Sequence, residues 1–215
     1  VEAESSAVEE VVAGGASEVE VEVMKNLERM LNGWGIRDFD EAEASESASE
    51  AEGAVGAALA MTATPTRAQA AAALPIGNGE DVVVVAPTGS GKTLAFLLPI
   101  IGTLNPDSTA VQVLIVTPGR ELSAQIAAVC AELFQGTGLK ALSLIGGANI
   151  NRQIENLKKK RPQVVVGTPG RLAELALGQR KLKLGTVRTV IMDEVDAMLD
   201  GDGRGGGGKM DKIGR

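Results

Sequence analysis

Between residues 86 and 93 the chain reads Ala86-Pro87-Thr88-Gly89-Ser90-Gly91-Lys92-Thr93, directly after the apolar run Val82-Val83-Val84-Val85. Glycines at 89 and 91 allow the backbone to turn tightly enough for successive N–H groups to converge on phosphate oxygens. Lys92 adds a positive charge, and Thr93 adds a hydroxyl of the kind that magnesium accepts. A helix starting near Thr93-Leu94-Ala95-Phe96-Leu97 would contribute the partial positive charge of its N-terminus. These parts together make a phosphate-binding loop. Ala86 stands where the strict form of the pattern has its first glycine, so the match is to the looser form and does not distinguish among nucleotide hydrolases.

A second set of side chains complements the first. Asp193-Glu194-Val195-Asp196 follows the apolar run Thr189-Val190-Ile191-Met192. An acidic turn after a strand is ordinarily just solvated. Beside a phosphate loop its chemistry changes, because nucleotide hydrolysis needs one carboxylate for magnesium and another to orient or deprotonate water. Asp193 is the expected magnesium residue and Glu194 the expected general base. Asp196 is assigned to structural or coupling hydrogen bonds.

Positioning these groups requires strands that end on loops. Strand-like runs occur at Val82–Val85, Val111–Val116, Leu142–Ile145, Val164–Val166 and Val190–Met192, separated by helix-like stretches such as Glu121–Leu133 and Ile150–Lys160. That alternation predicts an α/β fold, a parallel sheet with helices on both faces. Ligands of such folds collect beyond the carboxyl ends of the strands. The five predicted strand ends carry the phosphate loop, Thr117-Pro118-Gly119-Arg120, Gly146-Gly147, Thr168-Pro169-Gly170-Arg171 and the acidic cluster.

Charge divides the 215 residues unevenly. Residues 1–60 hold 15 acidic and 3 basic side chains, and residues 61–215 hold 13 acidic and 18 basic, so the net −7 conceals an arm at −12 and a remainder at +5. The first 60 residues read as an acidic, low-complexity, largely disordered arm with a short helix near 23–31 and an insertion or linker over 40–60. A basic remainder suits a polyanion. The single Cys130 excludes an intramolecular disulfide and reads as a reduced, buried thiol beside the stripe Leu122, Ile126, Val129 and Leu133. No run of 18 apolar residues exists, so no membrane span is expected. An intracellular setting follows, with nucleus, cytoplasm and organelle all open.

Taken in order, Pro65-Thr66-Arg67-Ala68-Gln69, Ala86–Thr93, Pro118-Gly119-Arg120-Glu121-Leu122, Gly146-Gly147, Thr168–Arg171 and Asp193–Asp196 resemble the first RecA-like domain of DEAD-box RNA helicases over roughly residues 64–200. The resemblance implies a RecA-like P-loop NTPase domain over 61–200; composition makes residues 201–215 a Gly-rich flexible end, where the family would instead continue as a helix. It implies ATP selected by an adenine hydrogen bond from Gln69, phosphate and Mg2+ held by Lys92 and Thr93, and Lys92, Asp193 and Glu194 as the catalytic set. Pro118, Gly119, Arg120, Gly146, Gly147, Thr168, Pro169, Gly170 and Arg171 would grip the backbone of one RNA strand, a mode that reads no base sequence.

The chain departs from that family at several positions. Gly119 replaces the usual threonine, and Val195 replaces the usual alanine beside the acidic pair. Phe39 is the nearest candidate for the adenine-stacking aromatic, with residues 40–60 looped out between it and Gln69; the alternative is that Phe39 and Trp34 anchor the arm. Lys158-Lys159-Lys160-Arg161 is open to two readings, an RNA contact or charges that close a helix favourably. Gly201–Gly208 reads as a flexible loop rather than an RNA-binding tract. The chain stops before the Ser-Ala-Thr segment and the second RecA-like domain with its arginine fingers, which the resemblance implies as partners. Little RNA-stimulated hydrolysis is therefore expected of these residues alone. A non-catalytic half-helicase, binding RNA or protein partners through its arm or basic face, is the alternative.

Overall fold

The computed structural model describes residues 66–199. The acidic arm, the helix expected near 23–31, the segment 40–60, Phe39, Trp34 and the Gly-rich end lie outside the described residues. Those described fall into two compact units, residues 66–104 with 132–138, and residues 105–131 with 139–199.

The first unit is built around two helices. Helix α1, Arg67–Gly77, starts from a reciprocal cap in which Thr66 Oγ1 accepts from the Gln69 N–H and the Gln69 side chain accepts from the Thr66 N–H. Such a box satisfies two donors that the first helical turn would leave unpaired. Helix α2, Lys92–Ile101, buries Leu94, Ala95, Leu97, Leu98, Ile100 and Ile101, so it is apolar nearly all round, as a core helix should be. The two helices pack against each other.

Val82–Val85 forms no strand, contrary to expectation, and Val83 and Val85 are 89% and 94% exposed. Four β-branched residues favour extended backbone, but a strand also needs a neighbour to take its hydrogen bonds. Among the described residues none pairs with this run. Local pattern reports propensity; pairing is a property of the whole sheet.

The second unit contains a four-stranded parallel sheet. Strands β1 (Val113–Val116), β2 (Ala141–Leu144), β3 (Val164–Gly167) and β4 (Thr189–Met192) lie in the order β2-β3-β1-β4. All four residues of β1 and of β3 are buried, the continuous apolar pattern of strands covered on both faces. Helices α3 (Arg120–Leu133), α4 (Ile150–Lys160) and α5 (Pro169–Ala173) follow β1, β2 and β3, with one π turn over Glu174–Gly178 after α5. Helix α6, Val195–Leu199, follows β4. One core cluster joins Leu114 and Val116 of β1, Leu142 and Leu144 of β2, Val165 of β3, Leu157 of α4, Leu172 of α5 and Met198 of α6. Val195 packs against that cluster, which gives its extra methyl groups a place. Cys130 of α3 is fully buried and unpaired, as its apolar stripe predicts.

Register is what makes this sheet useful. Val116 pairs with Gly167 and Met192, and Leu144 pairs with Gly167, so all four strands end level. The next residues of each chain segment therefore emerge at one edge. Those residues are Thr117–Arg120, Ile145–Gly147, Thr168–Arg171 and Asp193–Asp196.

Candidate nucleotide and nucleic-acid sites

In the first unit the phosphate loop is tied to α1. Thr66 Oγ1 donates to the Ser90 carbonyl at 2.7 Å, and Gln69 Nε2 donates to the Gly91 carbonyl at 3.3 Å. Gln69 is buried, not solvated, and links the helix cap to the loop. A Cβ on Gly91 would collide with the Gln69 amide, and its φ of +79° lies in the left-handed region, so both contact and backbone call for glycine there. Lys92 Nζ donates to the carbonyls of Ala86 at 2.6 Å and Pro87 at 2.8 Å, drawing the loop around its own ammonium.

The loop also has capacity left for an anion. The N-terminus of α2 has no side-chain cap, and the Ser90 hydroxyl is buried without a partner. Unpaired donors at a helix start are what phosphate oxygens satisfy. The residues present therefore fit a nucleoside polyphosphate.

In the second unit, three of the level loops enclose an open cavity of about 490 Å³ lined by Pro118, Gly119, Arg120, Gly146, Gly147, Thr168, Gly170, Arg171 and Glu174. Eight of these are residues that the sequence assigned to RNA. Pro169, the ninth assigned residue, is instead buried at the start of α5, where its missing N–H costs nothing.

Each wall of the cavity is braced. The Thr117 and Ser123 hydroxyls hydrogen-bond each other at 2.5 Å, and the one that accepts in that pair donates its own proton to the Gly119 carbonyl, setting the turn that leads into α3. Gln153 of α4 donates to the Ile145 carbonyl at 2.9 Å, and the Gly146 N–H donates to Thr168 Oγ1 at 3.4 Å. Gly147 has a φ of +80°, and a Cβ there would strike the Arg120 guanidinium. Arg171 is buried, with Nη2 donating to the Ala148 carbonyl at 3.1 Å and Nε lying 3.1 Å from Glu174 Oε2. Gly119, which departs from the family threonine, leaves open space where a Cβ would stand.

At the end of β4, Asp193 N–H donates to the Val116 carbonyl, which fixes the turn to the sheet. Asp193 Oδ1 accepts from the Glu194 N–H at 3.0 Å. Glu194 has a φ of +53°, a left-handed conformation that a non-glycine residue adopts at some cost, and strain of this kind concentrates at functional positions. Asp196 is exposed in the first turn of α6. Among the described residues no group of three or more His, Cys, Asp or Glu could hold a metal by itself. One carboxylate with phosphate oxygens is the ordinary magnesium arrangement, so the acidic turn still suits that ion.

The chain matches the DEAD/DEAH box helicase family over residues 57–213. It belongs to that family. Among curated relatives of this DEAD/DEAH box chain, it is 45% identical over 124 residues to the probable ATP-dependent RNA helicase YfmL of Bacillus subtilis, covering 58% of this chain and 32% of the relative. It is 49% identical over 124 residues to the ATP-dependent rRNA helicase RRP3 of Encephalitozoon cuniculi, covering 58% and 30%. Among solved structures it resembles the DEAD-box helicase Mss116 bound to single-stranded RNA and UDP-BeF, with 34% identity and a TM-score of 0.58 over 63% of this chain and 29% of that one. It also resembles a hypothetical ATP-dependent RNA helicase from Sulfolobus tokodaii, with 33% identity and a TM-score of 0.55 over 63% and 38%. The chain spans about a third of the length of these curated relatives.

Sequence reasoning missed three residues that shape the cavity, Glu174, Ser123 and Gln153. Glu174 was within reach, since it stands three residues after Arg171 on one helical face, the spacing of an ion pair. Ser123 and Gln153 act through backbone carbonyls and belong to no pattern of spacing that would have marked them.

Proposed function

We propose that this chain supplies the ATP-binding and RNA-gripping part of an ATP-dependent RNA helicase. The observation that carries the reading is the level ending of β1, β2 and β3. It gathers Arg120, Gly146, Gly147, Thr168, Gly170 and Arg171 around one cavity with little that could read a base. Guanidinium groups, glycine N–H groups and a hydroxyl suit phosphate and ribose, and contacts of that kind position a strand without reading its sequence.

In the nucleotide site, Lys92 would exchange its two loop carbonyls for phosphate oxygens, and the α2 N-terminus and Ser90 would donate to the same group. Gln69 holds the loop from below and is the residue assigned to adenine. Thr93 of the first unit offers a hydroxyl, and Asp193 of the second a carboxylate, each a hard oxygen ligand of the kind magnesium takes. The ion supplies neutralisation of phosphate charge when bound. Glu194 would take up the proton of the attacking water, in the role of general base.

Fluorescence anisotropy with labelled oligouridylate and oligoadenylate of equal length tests the RNA half of this reading. The two should bind within about threefold of each other, and both should weaken steeply with salt. A strong preference for one base would overturn it.

A further inference from the structure

Arg171 is an unusual cation. It is only 8% exposed, yet of its five N–H donors one makes an aligned hydrogen bond, from Nη2 to the Ala148 carbonyl. Nη1 is buried without a partner, and Nε lacks an aligned acceptor although Glu174 Oε2 stands 3.1 Å away. A buried guanidinium so thinly hydrogen-bonded depends on nearby negative charge. Glu174 provides it. Its side chain is 49% exposed, so it can leave for water, and among the described residues it is the one carboxylate lining a cavity whose other charged walls are Arg120 and Arg171.

We propose that Glu174 is the internal counter-ion of the RNA cavity, neutralising Arg171 when the cavity is empty and competing with an RNA backbone phosphate for it. The proposal rests on the RNA reading above. Carboxylate and phosphate both pair with guanidinium through charge-assisted hydrogen bonds, and the two anions repel each other at such range. Binding of a phosphate therefore expels the Glu174 carboxylate from the Arg171 fork. The expelled carboxylate takes up a solution cation, which subtracts from the counter-ions that RNA releases. Glu174 thus lowers affinity and flattens its dependence on salt, favouring a site that lets RNA go.

The test is anisotropy of labelled oligouridylate with the 215-residue chain between about 50 and 200 mM salt. Glu174→Gln should tighten binding about three- to tenfold, and the plot of log affinity against log salt should steepen by up to about 0.7, one phosphate's share for a single strand. Glu174→Ala should shift both readouts the same way, so an effect peculiar to the new amide is recognised. A purely structural glutamate would not steepen the salt slope. Unchanged or weaker binding in both variants, with Arg120→Gln weakening it, overturns the counter-ion role and leaves the RNA cavity standing. If Arg120→Gln has no effect either, the RNA reading of the cavity falls, and the proposal with it.

Discussion

Lys92 and Glu194 are each held in a way that suits the role proposed for them. Lys92 rests on two carbonyls of its own loop, so the proposed nucleotide binding would replace two neutral acceptors with a charged one. Charge-assisted bonds contribute about 1.5–3 kcal/mol. Lys92→Ala should therefore weaken ATP binding about ten- to a hundredfold, whereas Glu194→Gln should retain it; calorimetric titration of both variants checks this, and equal losses would contradict the division of roles. Cys130 makes the opposite case, a reactive group silenced by its surroundings. Burial raises its thiol from the ordinary 9.0 to about 12. Because the native state holds that proton more tightly, the stabilising effect is complete below pH 9 and is lost as pH rises through the window from 9 to about 12. At pH 8 the native chain should resist iodoacetamide while the denatured chain reacts readily, as mass spectrometry would report.

Elements, rather than residues, decide how far the sequence could be read. The span of α4 was legible to the residue, because Asn149 caps it, the Lys158–Lys160 run closes it, and Arg161 ends it in a left-handed conformation. Those lysines are exposed in the last turn, where they oppose the helix dipole favourably. All four strands were legible to within two residues; β1 and β3 are buried throughout, as their continuous apolar runs predict, whereas β4 leaves Val190 and Met192 exposed. Val82–Val85 has the same texture but no partner among the described strands, which its own residues could not disclose. The cavity followed from loops at strand ends; its braces did not, because Gln153 and Ser123 recognise carbonyls that every residue carries. Thr66 joins both kinds of information, capping α1 and holding Ser90. Loss of an N-cap costs about 1 kcal/mol. Thr66→Ala should lower stability by about that amount in urea unfolding and should also weaken ATP binding, whereas an unchanged ATP affinity would separate cap from loop.

At the scale of the molecule, the two proposed anion sites rest on two kinds of support: a short helix pair carries the Gly89–Thr93 loop, and the parallel sheet carries the cavity lined by Arg120 and Arg171. The membership of this chain in the DEAD/DEAH box helicase family accounts for both appearing in one sequence. Its own variations lie where the structure has room for them, with open space at Gly119 and a core contact for Val195. The level ends of β1, β2 and β3 are proposed to grip an RNA backbone. Amide hydrogen exchange of the 215-residue chain, with and without a saturating oligouridylate, tests it most directly. Slower exchange is predicted in the loops 117–120, 145–148 and 168–171, with no change along Lys158–Arg161. Protection confined to Lys158–Arg161, with the three loops unaffected, would mean that RNA is held by the end of α4 and not by the strand ends.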